Sequence, residues 1–326
     1  MLLPADESIH EPPQSEAWQE NYLFHGWDEA FGNGVYLHLQ HIPAEGLVDV
    51  RAASCVDGVL TSTVRQQAGS SAFGADGFDV DIAVPFEKMR LGYDGRGRVG
   101  LDESGWLCSG AGDSPFGFDI EIGTRCAPIS WRPITTELFP VDPTNIFTVA
   151  EHYEVGSVWK GTVWSGGRKI EASGLMWRDH SWGQRRFRSN AGYWTPVVLD
   201  GGRRFLTALT KRYEDTWYSF AAEAVDDQVV NVYTDYLVRQ NTAHGEVFTD
   251  ASSLAVRDER VTRFDIDVVR VMGAPRNWDV NGLPNWGLVD HVGHVRSGDS
   301  AGIGSFQTAP VSTASIIKAS GSGAVR

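Results

Sequence analysis

Long apolar runs are missing from this 326-residue chain, and no stretch is long enough to span a bilayer as a helix. Cysteine is scarce. Cys55, Cys108 and Cys126 are odd in number and show no Cys-x-x-Cys spacing, so a disulfide framework is excluded and reduced thiols in a cytoplasmic setting are expected. Basic charge is in deficit: 28 Lys and Arg against 42 Asp and Glu leave a formal net charge of -14. Long-range attraction to nucleic acid or to an anionic membrane surface is thereby disfavoured, and an apolar or neutral small molecule is the expected partner. The opening residues "MLLPADESIHEPPQSE" lack the basic start and apolar core of a signal peptide. Helical periodicity is sparse. Gly-x-Ser-x-Gly elbows and nucleotide loops do not occur, and "GYDGRGRVG" lacks the strand–turn–helix setting of a dinucleotide site.

Glycine and tryptophan, by contrast, are plentiful, with 36 and 12 residues. Short alternating segments recur between turn signals, among them "GVYLHLQHI", "TWYSFAAEAV" and "VVNVYTDYLV". "LDGGRRF" at 199–205 reads as a hairpin turn. The expected class is all-β with antiparallel strands. One strand type appears three times, as "GFDVDIAV" from Gly77, "GFDIEIGT" from Gly117 and "RFDIDVVR" from Arg263. Phe78, Val80 and Ile82 then face one side, and Asp79 and Asp81 the other. Its presence in both halves fits two similar β domains, and equally fits ordinary half-exposed strands. The expected division is a polar arm over 1–20, a β domain over 21–168, a second over 169–310 and a tail over 311–326, with the break near 165–172 ("SGGRKIEA").

The densest chemistry lies in "GLMWRDHSWGQRRF", 174–187. On a strand, Arg178, His180 and Trp182 share one face, while Leu175, Trp177, Asp179 and Ser181 share the other. A bulge at Ser181–Gly183 would bring Asp179 and His180 together; a regular strand keeps them apart and makes the Arg178, His180 and Trp182 face the better candidate site, with Asp179 orienting a neighbour or pairing with an arginine. A structural network closing a barrel end competes with a binding site for these residues, and is the preferred reading for Arg185. For Asp179 a structural ion pair is weighed above catalysis, and Trp194 reads first as core. "DHVGH" would place His291 and His294 on opposite faces of a strand, which argues against a shared metal, and a solvated loop is the preferred reading. "NGLPNWG" is turn chemistry.

"RDHSWGQR" resembles the signature of the lipocalin-like hydroxyneurosporene-synthase and AttH-type proteins, a group that includes carotenoid hydratases. "EHYEVGSVWKGTV" and "AGIGSFQ" are similar to the group's flanking segments, although Gln307 stands where a carboxylate is expected. The resemblance implies two calycin/lipocalin-like β-barrel domains packed together, with the ligand cavity near their junction. It also implies water addition to, or removal from, an apolar and terpenoid-type substrate without cofactor or metal. That chemistry needs a neutral acid, a group to manage water and aromatic faces for a carbocation. Asp179 and Glu154 are the acid candidates. His180 and His152 are the water-managing ones. Trp177, Trp182, Tyr193, Trp194 and Arg178 line the substrate in this reading. A non-catalytic carrier of an apolar ligand, or a pericyclase or isomerase, is the alternative.

Overall fold

The computed structural model describes residues 2–13, 18–100, 107–108, 112–140, 142, 151–184, 192–241, 250–278 and 284–312. Ten strands come first: β1 (Trp18–Trp27), β2 (Gly34–Ile42), β3 (Leu47–Val56), β4 (Val59–Ala68), β5 (Phe78–Val84), β6 (Lys88–Val99), β7 (Ser114–Thr124), β8 (Ile129–Ser130), β9 (Glu151–Ser165) and β10 (Arg168–Gln184). A two-turn helix, α1 (Trp131–Leu138), follows β8. Nine more strands complete the fold: β11 (Gly192–Leu199), β12 (Arg204–Tyr213), β13 (Thr216–Val225), β14 (Gln228–Tyr233), β15 (Asp235–Asn241), β16 (Asp250–Arg257), β17 (Arg260–Trp278), β18 (Pro284–Ser297) and β19 (Ser300–Ser312).

The first sheet runs β10-β1-β2-β3-β4-β6-β7-β9, and β9 pairs back onto β10. Eight antiparallel strands thus close on themselves. β5 and β8 attach to this ring from outside the path, on β6 and β9. The second sheet runs β14-β13-β12-β11-β19-β18-β17-β16-β15. Its end strands are consecutive in the chain, so it curls round, and Tyr236 of β15 reaches Thr195 of β11 at 2.5 Å across the interior.

Alternation explains the three related strands. Asp79 and Asp81 are exposed between half-buried Phe78, Val80 and Ile82, and Asp265 and Asp267 are exposed beside buried Phe264 and Ile266. The hairpin at 199–205 joins β11 to β12, with Gly201 and Gly202 at φ 65° and 89°, a region open to glycine. The segment at 165–172 is also a hairpin, joining β9 to β10 within one sheet. The change of sheet falls later, between Gln184 and Gly192.

The sheets meet through a shared core. Trp177 and Leu175 of β10 bury with Trp194, Val198, Phe205 and Phe220 of the second sheet. A Cβ on Gly156 would come within 2.9 Å of Phe205, so a bare backbone at that point lets β9 approach β12 closely. The other face of β10 points into the first barrel, where Met176 packs with Phe24, Leu37 and Trp159.

Candidate active site at the junction of the barrels

β10 pairs with β1 without a register shift from Leu175 to Gln184. Gly183 has φ 116°, yet no bulge forms there. Strict alternation therefore holds, and Asp179 and His180 lie on opposite faces. The expected constellation divides into two groups.

The first group faces the second barrel. Asp179 is opposite Glu154 in register, and Ser181 is opposite His152, so all four point to one side. His152 Nε2 is hydrogen-bonded to Asp179 Oδ2 and lies 3.2 Å from Glu154 Oε1. That Glu154 oxygen is buried and has no aligned hydrogen bond. The indole N–H of Trp194 donates to the other, Oε2, at 3.1 Å. The Trp131 ring covers His152 at 3.7 Å between centroids. Burial raises the Glu154 carboxyl above its ordinary range, and the neighbouring Asp179 charge pushes the same way against the hydrogen bond from His152. For His152, burial disfavours the cation, but the Asp179 carboxylate outweighs it and lifts the imidazole to about 9. A carboxyl raised by burial, an imidazole raised by its acidic neighbours and Asp179 thus share one small space. Glu154 is sealed off, while His152 and Asp179 are 11% and 14% exposed, so approach is from their side.

The second group faces the interior of the first barrel and includes residues from the N-terminal segment. Arg178 is buried and paired with Glu7, with further bonds to Thr124 Oγ1 (3.2 Å) and the Phe86 carbonyl (3.3 Å). His180 Nε2 lies 3.1 Å from Glu20 Oε1, and its Nδ1 lies 2.9 Å from the Asp6 carbonyl oxygen. His10 Nδ1 reaches the same Glu20 oxygen at 2.8 Å and stacks on Trp182 at 4.2 Å. Tyr22 stacks on His180 at 3.9 Å. Burial lowers the His180 pKa against the pull of Glu20, whereas for Glu20 the hydrogen bonds from His10 and His180 outweigh burial and lower it. A cavity of only about 10 Å³ lies here between Glu7, Tyr153, Arg178 and His180, room for about one water.

His180, Arg178 and Trp182 are therefore not joined to Asp179, Glu154 and His152. Tyr193 also points away from its neighbour Trp194, packing on Phe306 at 5.3 Å on the far side of the second sheet. Trp177 is buried in the inter-sheet core against His25, at 4.5 Å. Arg185 lies outside the described residues. His291 is fully buried on β18 rather than in a solvated loop; burial pushes it down to about 4, and its Nδ1 bonds the Phe306 carbonyl. Gln307 bonds Asp290, its partner on β18, at 2.8 Å. The carboxylate expected on β19 is thus supplied one strand over. Sequence reasoning missed Asp6, Glu7, His10 and Glu20, which lie in or next to the arm and carry no motif. Two trios bring their donor atoms within 4.8 Å of one another and have the chemistry to hold a cation, His152–Glu154–Asp179 and His10–Glu20–His180. All three cysteines are buried thiols outside any disulfide, and no described helix is long and apolar enough to cross a membrane.

The junction site carries a pH signature. The folded His152 pKa stands above its ordinary 6.5, so its contribution to stability is complete below about pH 6.5 and fades as pH rises through about 9. The raised Glu154 acts in the same direction, since ionising it in the folded state is disfavoured. Urea midpoints are expected to fall between pH 6.5 and 9, with a smaller fall in His152→Leu. A flat or rising profile would contradict this charge assignment.

Two packed lipocalin-like antiparallel β-barrels define the fold class. Solved structures share this fold at low identity. An AttH-type protein from Nitrosomonas europaea is 14% identical, with a TM-score of 0.53 and coverage of 92% of this chain and 96% of that one. Kievitone hydratase from Nectria haematococca is 11% identical, with a TM-score of 0.53 over 96% and 94% of the two chains. CghA bound to Sch210972 is 10% identical, also at 0.53, over 92% and 90%. No curated protein matches the chain. Residues 3–312 match one family throughout, and the chain belongs to it: the domain of unknown function DUF7064.

Proposed function

We propose that the protein is a hydro-lyase that adds water to, or removes it from, an isolated carbon–carbon double bond of an apolar, terpenoid-type substrate. The observation that carries this reading is Glu154: a buried carboxyl whose pKa burial raises, 3.2 Å from a His152–Asp179 pair and hydrogen-bonded to the Trp194 indole. Kievitone hydratase shares the fold and lends the hydratase class a precedent, and CghA with its bound Sch210972 shows the fold holding a small molecule.

In the hydration direction Glu154 gives its proton to the less substituted alkene carbon. The positive charge develops on the more substituted one, where the faces of Trp131 and Trp194 stabilise it by roughly 0.5–2 kcal/mol each. Water held at the exposed edge of Asp179 attacks that carbon and loses its proton to the Asp179 carboxylate. His152 Nε2 touches Asp179 and lies beside Glu154, so it gives its hydrogen to the Glu154 carboxylate and takes the water's proton from Asp179 at the same nitrogen, and the site is reset. Dehydration runs the same steps backwards.

Incubation with a panel of alkenes and tertiary alcohols in oxygen-18 or deuterated water tests this. The expected product carries solvent oxygen on the more substituted carbon and solvent hydrogen on its neighbour. Products free of solvent label would overturn the mechanism. Tight one-to-one retention of apolar ligands without turnover would favour a carrier.

A further inference from the structure

The interior group of β10 has a geometry that hydrogen bonding within the protein leaves incomplete. The Asp6 carbonyl oxygen can only accept, so His180 Nδ1 carries a hydrogen there. His180 Nε2 then points at Glu20 Oε1 from 3.1 Å. Nδ1 of His10 meets the same oxygen at 2.8 Å, beside the His10 backbone N–H and the Tyr22 hydroxyl, so two imidazole nitrogens converge on one carboxylate oxygen. The other carboxylate oxygen, Glu20 Oε2, is fully buried and has no hydrogen-bond partner, and neither has His10 Nε2.

The second nitrogens of both rings turn to one residue. His180 Nδ1 meets the Asp6 carbonyl at 2.9 Å, and His10 Nε2 lies 3.7 Å from the Asp6 carboxylate. Ligating imidazoles are oriented in this way, with the far nitrogen held by a carbonyl or carboxylate. Stacking of His10 on Trp182 and of His180 on Tyr22 fixes both ring planes. The near donors stand 2.8 and 3.1 Å from the shared carboxylate oxygen. Tetrahedral zinc at ~2.0–2.1 Å from each ligand needs a separation of roughly 3.3 Å, an opening of a few tenths of an ångström.

We propose that His10, Glu20 and His180 form a binding site for a divalent transition cation of the zinc class, assembled when the N-terminal segment docks on the first barrel. Two imidazoles and one carboxylate suit zinc and leave its fourth position to water. The site lies on the face of β10 opposite the junction trio, and it stands or falls independently of the proposed hydration.

The full chain, stripped by a chelator and titrated calorimetrically with zinc chloride, tests the assignment. One equivalent is expected to bind, and to slow proteolysis of the first ten residues. His10→Ala removes a ligand from a 22%-exposed position, and is expected to weaken binding by ~100-fold or more. His152→Leu is expected to leave zinc affinity unchanged. Absence of zinc binding, equal affinity in His10→Ala, or loss of binding in His152→Leu would each overturn the proposal; the last would place the ion in the junction trio.

Discussion

Glu154→Gln is expected to lower turnover by ~10²–10⁴-fold while leaving the unfolding midpoint nearly unchanged. The amide keeps the size of the side chain and can still accept the Trp194 N–H bond. What it loses is the proton. Because the native carboxyl is already disfavoured as an anion by burial, the substitution introduces little electrostatic penalty. Asp179→Asn is expected to act differently, since it removes the proton acceptor and lets the His152 pKa fall. Rates for the two variants in labelled water separate these roles. Full activity in Glu154→Gln would remove it as the acid.

The second large effect concerns stability. Glu7→Ala is expected to cost about 3–5 kcal/mol, because Arg178 would remain buried without its counter-charge. Arg178 is only 4% exposed, and its remaining bonds go to a carbonyl and a hydroxyl. Glu7 also accepts the Phe86 N–H at 3.0 Å, so the loss reaches the loop after β5. Pairing Glu7→Leu with Arg178→Met is expected to be milder than either change alone, as removing both charges leaves neither one stranded. Equilibrium denaturation of the four proteins measures the coupling. A single-variant loss below about 1 kcal/mol would mean that the segment merely rests on the barrel.

Much of the fold was legible because strand alternation is a local property. The Phe-Asp-Ile/Val-Asp/Glu strands, the glycine hairpin at 199–205 and the resemblance around Arg178–Arg185 led to an all-β, two-barrel molecule, and the structure has it. The same alternation separates Asp179 from His180 and Tyr193 from Trp194. The bulge that Gly183 permits would have reversed the first separation, and only the unbroken pairing with β1 decides between them. The sheet change after Gln184 was not readable at 165–172, because two glycines signal a turn without saying whether the next strand stays in the sheet. The N-terminal segment was opaque for another reason. Glu7 looks like a solvated acid until Arg178, 171 positions away, supplies the opposite charge, and the Asp6 carbonyl meets its imidazole partner, His180, only 174 positions on. No periodicity reports a contact of that span.

That span also sets an order of events. Residues 6–10 leave the ribosome early, whereas Arg178 and His180 follow about 170 residues later, on the order of 10–30 s at ordinary elongation rates. The barrel cannot close before then either, since β10 is the strand that joins β9 to β1. Until it arrives, β1 has an open edge and the acidic, proline-bearing N-terminal segment lacks its Arg178 and His180 partners. Closure of the ring and capture of the leader are thus one late, long-range step, of the kind that makes folding slow. Strands β1 to β9 must wait through synthesis as an open sheet, and help in shielding that edge matters most while the first half of the chain stands alone.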